Sequence, residues 1–222
     1  MPARHALMFI AAAALAAAET QTYPLDGRQP HGLRLVHVKA EAVTYKGRRA
    51  VRLTEDGGVS GEPLALLPAT DFRDGTMQVD VAGEPGPGAA AGARGFVGIG
   101  FHSDPDASHF ECFYLRPTNG RADDQLRRNH SVQYISFPDF PWEKLRKEMP
   151  GVYESYTDLM PGEWTKVKIE VRGTKAKLYV NDALQPVLLV NDLKLGSRSG
   201  AIGLWIGSGT VGHFANLRVT PQ

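Results

Sequence analysis

The chain has 222 residues, and its 25 Lys and Arg against 24 Asp and Glu leave a formal net charge of only +1 at pH 7. This balance gives no support to nucleic acid or an anionic membrane as the partner, since both call for an excess of positive charge. The length suits one large β-sandwich or barrel, which often reaches this size as a single domain. Charge alone does not identify a ligand.

The chain begins MPARHALMFIAAAALAAAETQ, with Arg4 and His5 ahead of an apolar run and with small residues at Ala16 and Ala18. This pattern predicts a secretory signal peptide over residues 1–18 and a single mature domain over residues 19–222. The apolar run is shorter than the roughly 20 residues of a membrane helix, so no membrane span is expected after cleavage. We expect a secreted or periplasmic protein.

Cys112 is the only cysteine, so no intramolecular disulfide is available to an exported chain. It lies in the apolar run FECFYL, where a buried thiol acting as a small hydrophobe is favoured over a nucleophile.

Short alternating runs bounded by Gly, Pro and Asp recur along the chain, and no helical period is sustained. In order, the predicted strands are LRLVHVKAEAVTY, RAVRLT, TMQVDVA, GFVGIGFH, FECFYLRP, SVQYISF, WTKVKIEVRG, KAKLYVN, VLLV, SGAIGLWIG and HFANLRVT. In WTKVKIEVRG, the apolar Val167, Ile169 and Val171 alternate with charged residues, as in a sheet buried on one side. The pattern predicts an all-β fold, a two-sheet antiparallel jelly-roll sandwich.

Two segments interrupt this pattern. GEPGPGAAAGARG, residues 83–95, is predicted to be a flexible surface loop. PDFPWEKLRKEMPG, residues 138–151, is bracketed by prolines and has room for at most a two-turn helix from Trp142 to Met149. Its prolines and aromatic rings favour an ordered wall beside a cleft, with Trp142 partly buried.

The C-terminal half resembles the concanavalin A-like lectin and glucanase superfamily. The resemblance rests on GEW opening one strand, KLYVN in the next, and GAIGL followed by FANLRV in the last hairpin. The laminin-G-like domains and the 3-keto-disaccharide hydrolase-like domain are the nearest by this pattern. The resemblance implies that sugars lie across the concave face of one sheet.

Alternation assigns residues to that face. In GAIGLWIG, Trp205 shares a face with Ala201 and Gly203, an arrangement suited to stacking a pyranose ring, although a core position for the indole is about equally favoured. Gly98, Gly100 and His102 leave a bare face on another strand, and Tyr114 ends the outward side of FECFYL.

The connection YLRPTNGRADDQLRRNHSVQY, residues 114–134, is unusually rich in arginine and amide side chains. Arginine forks match carboxylates, and amides pair with hydroxyls, so we expect a ligand-binding rim. An alternative is internal pairing of Arg121, Arg127 and Arg128 with Asp123 and Asp124. The candidate ligand-binding residues are Tyr114, Arg116, Asn119, Arg121, Gln125, Arg127, Asn129, Gln133, Trp142 and Trp205.

No strand carries the paired carboxylates of a standard glycosidase. The resemblance allows a different chemistry, in which a base removes the acidic proton beside a 3-keto group of a sugar. His130, His102 and Tyr134 are the candidate catalytic residues for that route. This chain differs from the pattern of the 3-keto-disaccharide hydrolase-like domain at Trp205, Ile206 and Gly207. The difference makes a binding function at least as favoured as a catalytic one.

Asp104 and Asp106 in HSDPDASHF are a weak candidate pair for Ca²⁺, and no motif indicates another cofactor. The favoured function is a secreted carbohydrate-recognising domain that binds one or two sugar units. Alternatives are an enzyme cleaving modified, 3-keto glycosides and a structural envelope domain without a small ligand.

Overall fold

A computed structural model describes residues 19–26, 32–57 and 61–222, so the predicted signal peptide lies outside the described residues. The strands are β1 (Gln21–Tyr23), β2 (Arg34–Val36), β3 (Val38–Tyr45), β4 (Arg48–Glu55), β5 (Leu64–Leu66), β6 (Gly75–Pro85), β7 (Val97–Ser103), β8 (Phe110–Leu115), β9 (Val132–Phe137), β10 (Glu154–Ser155), β11 (Thr165–Arg172), β12 (Lys175–Val180), β13 (Leu188–Val190), β14 (Ala201–Ile206) and β15 (Thr210–Pro221). The two short helices are α1 (Gln125–Arg128) and α2 (Trp142–Glu148).

The strands form two sheets. The eight-stranded sheet has the order β13-β12-β11-β6-β15-β4-β3, with β1 added along β15, and the seven-stranded sheet has the order β10-β9-β8-β7-β14-β5-β2. The pairings within both sheets are antiparallel, for example β11 with β6 and β8 with β9. The predicted all-β, two-sheet antiparallel sandwich is therefore confirmed. In the described part of the chain, no helix is long and apolar enough to cross a membrane.

The inner faces of the sheets make one hydrophobic core. On β11, Val167, Ile169 and Val171 are buried while Lys166 is exposed, as the alternation predicted. Ile99, Phe113 and Leu204 lie in register on adjacent strands of the seven-stranded sheet and face this core. A side-chain period of two thus places the apolar half of each strand between the sheets.

The seven-stranded sheet is buried on its outer face as well. All residues of β7 and β8 are buried, because the segment 138–151 and its helix α2 cover part of that face. Leu145 of α2 is fully buried, and the Phe137 ring stacks on Phe110 with 5.3 Å between centroids. The segment is thus an ordered wall, as the prolines predicted.

The face expected to be bare at Gly98 and Gly100 is filled by the chain itself. A Cβ at Gly98 would lie 2.6 Å from the Cβ of Tyr114, and one at Gly100 would lie 3.2 Å from a Leu64 methyl. The space beside these two glycines is filled by neighbouring side chains of this protein. The room expected here for a flat ligand is therefore not present.

Candidate functional site

The arginine-rich connection 114–134 folds as a short 3₁₀ turn at Pro117–Asn119 followed by α1. Asp124 caps α1 by accepting a hydrogen bond of 2.8 Å from the Arg127 backbone N–H, as a short acidic side chain does at a helix start. This cap orders the start of α1. It uses no arginine side chain, and the guanidinium groups of the loop bond to other residues.

Two of those partners come from residues 154–160 and not from the loop. Arg121 makes two hydrogen bonds of 2.7 Å to the Asp158 carboxylate. Arg128 donates to the Tyr156 hydroxyl at 2.8 Å. The alternative of internal pairing with Asp123 and Asp124 is therefore wrong in its partners for Arg121 and Arg128, because the chain after the wall returns alongside the loop.

Arg116 lies beneath the loop and is almost completely buried. It donates to the Tyr114 hydroxyl at 2.8 Å and to the Gln133 Oε1 at 3.2 Å. Register explains this grouping, since Tyr114 and Gln133 are directly paired between β8 and β9 on the outer face of the sheet. Burial lowers the pKa of the Arg116 guanidinium, although a guanidinium stays charged in proteins.

Glu154 provides the negative charge opposite Arg116. Its side chain is only 4% exposed, and Arg146 donates to both carboxylate oxygens at 2.7 to 3.1 Å. The same carboxylate lies 3.8 Å from Arg116 and 3.2 Å from the His130 Nε2. One buried carboxylate thus joins the strand β10, the helix α2 and the arginine-rich loop.

Trp142 forms the exposed part of this arrangement. Its residue exposure is 38%, and the guanidinium carbons of Arg146 and Arg116 lie 4.6 and 5.6 Å from its ring centroid. Both distances are within cation–π range. We name the five residues Trp142, Arg146, Glu154, Arg116 and His130 the Trp142 cluster.

In the Trp142 cluster, a partly exposed indole lies beside charged side chains that are held in place by hydrogen bonds to buried partners. Burial lowers the pKa of the His130 imidazole; the Glu154 carboxylate opposes this change, while Arg146 and Arg116 add to it. When a neutral imidazole donates its N–H to a carboxylate, its other ring nitrogen is available as a hydrogen-bond acceptor.

Glu154 and Arg146 were not singled out from the sequence. Glu154 lies in VYESY, a short run in which a lone carboxylate has aromatic neighbours at Tyr153 and Tyr156. This run forms β10, which pairs Glu154 with Gln133 of β9. An acidic residue in an apolar, strand-like run was the signal for a buried charge.

The remaining predicted rim residues divide into a buried and an exposed group. Asn119 is buried and donates to the His130 carbonyl at 3.1 Å, while Gln133 donates to the Tyr153 carbonyl at 3.0 Å. The exposed group consists of Gln125, Asn129, Arg121 and Arg127, with Gln125 donating to Asn129 at 2.7 Å. Among the described residues, the Arg127 side chain makes only long contacts of 3.5 Å, both through one guanidinium nitrogen.

Tyr134 faces the core and not the outer face, because it alternates with Gln133. It is fully buried, donates to Glu111 and accepts from the Lys194 backbone N–H at 2.9 Å. Burial, together with the Glu111 charge, raises the pKa of its hydroxyl. A proton-transfer role for Tyr134 does not fit this position.

His102 is separated from His130 by the length of β7. Val97, at the start of that strand, pairs with Leu115 next to Arg116, whereas His102 lies at the far end. His102 is fully buried, and its Nε2 lies 2.8 Å from the Arg73 carbonyl. The two histidines expected to share a site are therefore apart, and His102 has no open side for a substrate.

Trp205 is on the predicted outer face but is covered. Its indole is 5% exposed, donates to Glu62 at 2.9 Å and lies 4.7 Å from the Tyr114 ring. It packs beneath the surface against Tyr114, so the stacking role expected for Trp205 does not fit this position.

The candidate calcium pair is engaged by other side chains. Asp104 bonds to Arg198 and to His109, and Asp106 accepts from the Ser108 hydroxyl at 2.7 Å. Burial alone would raise the pKa of Asp104, but the bonds from Arg198 and His109 hold it below its usual value. Within residues 19–26, 32–57 and 61–222, no three His, Cys, Asp or Glu side chains are grouped as a metal ion requires.

Two depressions lie away from the Trp142 cluster. One, of about 410 Å³, is at the end of the seven-stranded sheet near Arg34, Asp104 and Arg198. The other, of about 680 Å³, is on the outer face of the eight-stranded sheet. Neither depression is lined by a residue of the Trp142 cluster.

No protein-family model and no curated protein matches the chain. Solved structures do match. A carbohydrate-binding module, CBM66 from Bacillus subtilis, has a TM-score of 0.58 and 17% identity, with 85% of this chain and 96% of that chain covered. Domain 4 of AbnA, a GH43 extracellular arabinanase from Geobacillus stearothermophilus in complex with arabinotriose, has a TM-score of 0.52 and 15% identity, covering 93% and 94%. The β-glucanase from Bacillus licheniformis has a TM-score of 0.50 and 12% identity, covering 94% and 100%.

These likenesses define the class of fold. The chain is a concanavalin A-like jelly-roll sandwich, as its strand pattern and C-terminal motifs predicted. At identities of 12 to 17% the likeness shows the fold alone. The narrower resemblance to laminin-G-like and 3-keto-disaccharide hydrolase-like domains stays a prediction.

Proposed function

We propose that this protein is a secreted or periplasmic carbohydrate-binding domain whose binding surface is the Trp142 cluster. The observation that carries the proposal is the Trp142 indole, which stays 38% exposed while two arginines lie against its ring. An apolar ring face beside fixed donors matches a sugar, which has an apolar ring face and hydroxyls around its edge.

Binding at this surface needs little reorganisation. Glu154 holds Arg146 through both carboxylate oxygens, and Arg116 is held by Tyr114 and Gln133. Side chains fixed before binding lose little conformational entropy when a ligand arrives. The cluster is one indole wide, which supports recognition of one or two sugar units.

Two solved neighbours support the ligand class. One is described as a carbohydrate-binding module and another is a domain of an arabinanase in complex with arabinotriose. We carry over to this chain only the class of ligand, a carbohydrate or glycoside.

The test is binding to a glycan array and to immobilised oligosaccharides by wild type and Trp142→Ala. Loss of the indole should weaken binding about tenfold or more, the effect expected of an aromatic platform. Leu35→Ala is the matched control, since it also removes an exposed apolar side chain, from β2 at the opposite edge of the same sheet.

Equal binding by wild type and Trp142→Ala would remove the Trp142 cluster as the binding surface. A folded wild-type protein that binds no neutral or acidic glycan would favour the structural envelope domain. Circular dichroism spectra of both variants check that the sandwich is intact.

A second candidate function is cleavage of 3-keto glycosides, and the observation that favours it is the His130–Glu154 pair. The His130 Nε2 lies 3.2 Å from the Glu154 Oε1, as in a general base oriented by a carboxylate. His130 would remove the C2 proton next to the C3 ketone, and Arg146 would stabilise the resulting enolate. The enolate would then expel the glycosidic oxygen, which leaves as an alcohol after taking the proton from His130.

Product release from a 3-keto-glucoside by wild type and His130→Asn tests this route. His102→Ala is the comparison, because His102 is buried at the far end of β7. The route requires activity in wild type and a loss of about a hundredfold or more in His130→Asn. Wild-type protein without activity leaves binding as the function.

A further inference from the structure

The outer face of the eight-stranded sheet is strongly basic where β6, β11, β12 and β15 lie side by side. Its outward side chains include six cations, namely Lys166, Lys168, Arg172, Lys175, Lys177 and Arg218. Against them stand Asp80 and Glu170 on the strands and Asp182 in the turn after β12. The whole chain has a net charge of only +1, so positive charge is concentrated on this face.

This basic face contains the depression of about 680 Å³. Its floor is Tyr179, which is buried and has the Lys168 Nζ 3.9 Å from its ring centroid. The register places Tyr179 opposite Lys168, Lys168 opposite Gln78, and Gln78 opposite Arg218. With strands about 4.8 Å apart, this row extends across four strands for about 14 Å.

The acidic side chains of the depression are already paired. Asp80 accepts from Arg48 at 2.7 Å and from Asn216 at 2.6 Å. Asn216 has a positive φ of 55° at the bulge where β15 shifts register against β6, which directs it out of the ladder. Within the described ranges, Arg218 and Gln78 have no side-chain hydrogen-bond partner, so their donors are available to a ligand.

We propose that this basic face is a second binding site, and that it binds an anionic polysaccharide lying across the strands. Carboxylate or sulfate groups pair with Arg218 and with Lys168, whose Nζ also donates to Glu170 at 2.8 Å, and hydroxyls bond to Gln78. A neutral glycan leaves the Arg218 guanidinium unmatched. A flat anionic bilayer does not follow the depression, which favours a chain-like ligand.

The test measures binding of the full mature chain to immobilised polygalacturonate, dextran sulfate and uncharged dextran. Wild type should bind one or both acidic polymers, less tightly as salt rises, and should not bind dextran. Lys168→Gln/Arg218→Gln should weaken this binding about tenfold. Lys39→Gln/Arg49→Gln is the matched control, since it removes the same charge from exposed residues on β3 and β4 of the same sheet.

Retention on either acidic polymer, lost only in Lys168→Gln/Arg218→Gln, supports the proposal and identifies the anion. Equal losses in the two double variants, equal binding to dextran, or binding only to phosphatidylserine vesicles would overturn it. Both double variants keep Trp142 and the rest of the Trp142 cluster, so the difference between them is independent of the proposed function of that cluster.

Discussion

Replacing Glu154 by Gln should destabilise the protein far more than replacing Asp158 by Asn. Both carboxylates accept paired hydrogen bonds from an arginine, with shortest distances of 2.7 Å. They differ in burial, since the Glu154 side chain is 4% exposed and that of Asp158 is 56% exposed. The pair of substitutions therefore isolates the effect of burial on one kind of interaction.

The expected magnitudes follow from what each substitution leaves behind. Glu154→Gln leaves the buried Arg116 and the half-buried Arg146 without their counter-charge, which costs about 3 kcal/mol of unfolding free energy. Asp158→Asn leaves Arg121 in water and costs less than about 1 kcal/mol. For a domain of this size, 1 kcal/mol corresponds to about 2–4 °C in Tm, so Glu154→Gln should lower Tm by about 6–12 °C.

Thermal unfolding followed by circular dichroism at neutral pH measures both variants, with urea unfolding as the second measurement. A Tm loss in Glu154→Gln no larger than in Asp158→Asn would refute the reasoning. It would mean that water reaches Arg116 and solvates it once the carboxylate charge is gone.

Three further results are expected. Trp142→Phe should be less quenched by acrylamide than wild type, because its remaining indoles are less exposed; unchanged quenching would place Trp142 in the interior. Cys112 should react with a thiol reagent only after unfolding, since burial raises the pKa of its thiol well above the usual value; fast reaction of the native protein would contradict this. Burial lowers the pKa of His213 to about 4 from 6.5, so protons bound only by the unfolded chain reduce stability as the pH falls through this range. His213→Phe should therefore lose less urea stability than wild type between pH 7.5 and 4.5, and equal losses would exclude His213 as a source of acid sensitivity.

The sandwich was predictable because its strands alternate. WTKVKIEVRG assigns each side chain to a face without further information, and the structure agrees. The wall helix was also predicted within one residue of its end, because prolines bound it on both sides. Local sequence suffices where a period or a proline determines the geometry.

The site was less predictable because its pairs join distant segments. Arg121 to Asp158 and Arg146 to Glu154 depend on how the chain returns after the wall, and no local pattern contains that path. The sequence placed Trp205 on its correct face, but what covers that face is a tertiary property. Tyr134 was assigned to a site although alternation with Gln133 already indicated opposite faces.

The wall has a consequence for how this fold varies. Residues 138–151 leave at the end of β9 and return into β10, which pairs with β9 again at Gln133 and Glu154. Both ends of the segment are therefore held by the pairing of β9 with β10. A change in the length of the segment alters the free energy of closing this loop only slowly. Evolution or design can exchange the segment, and Trp142 with it, while Glu154 stays in place. If the Trp142 cluster binds sugars as proposed, ligand preference would change with the segment, while the new segment would still have to cover the face that Leu145 packs on.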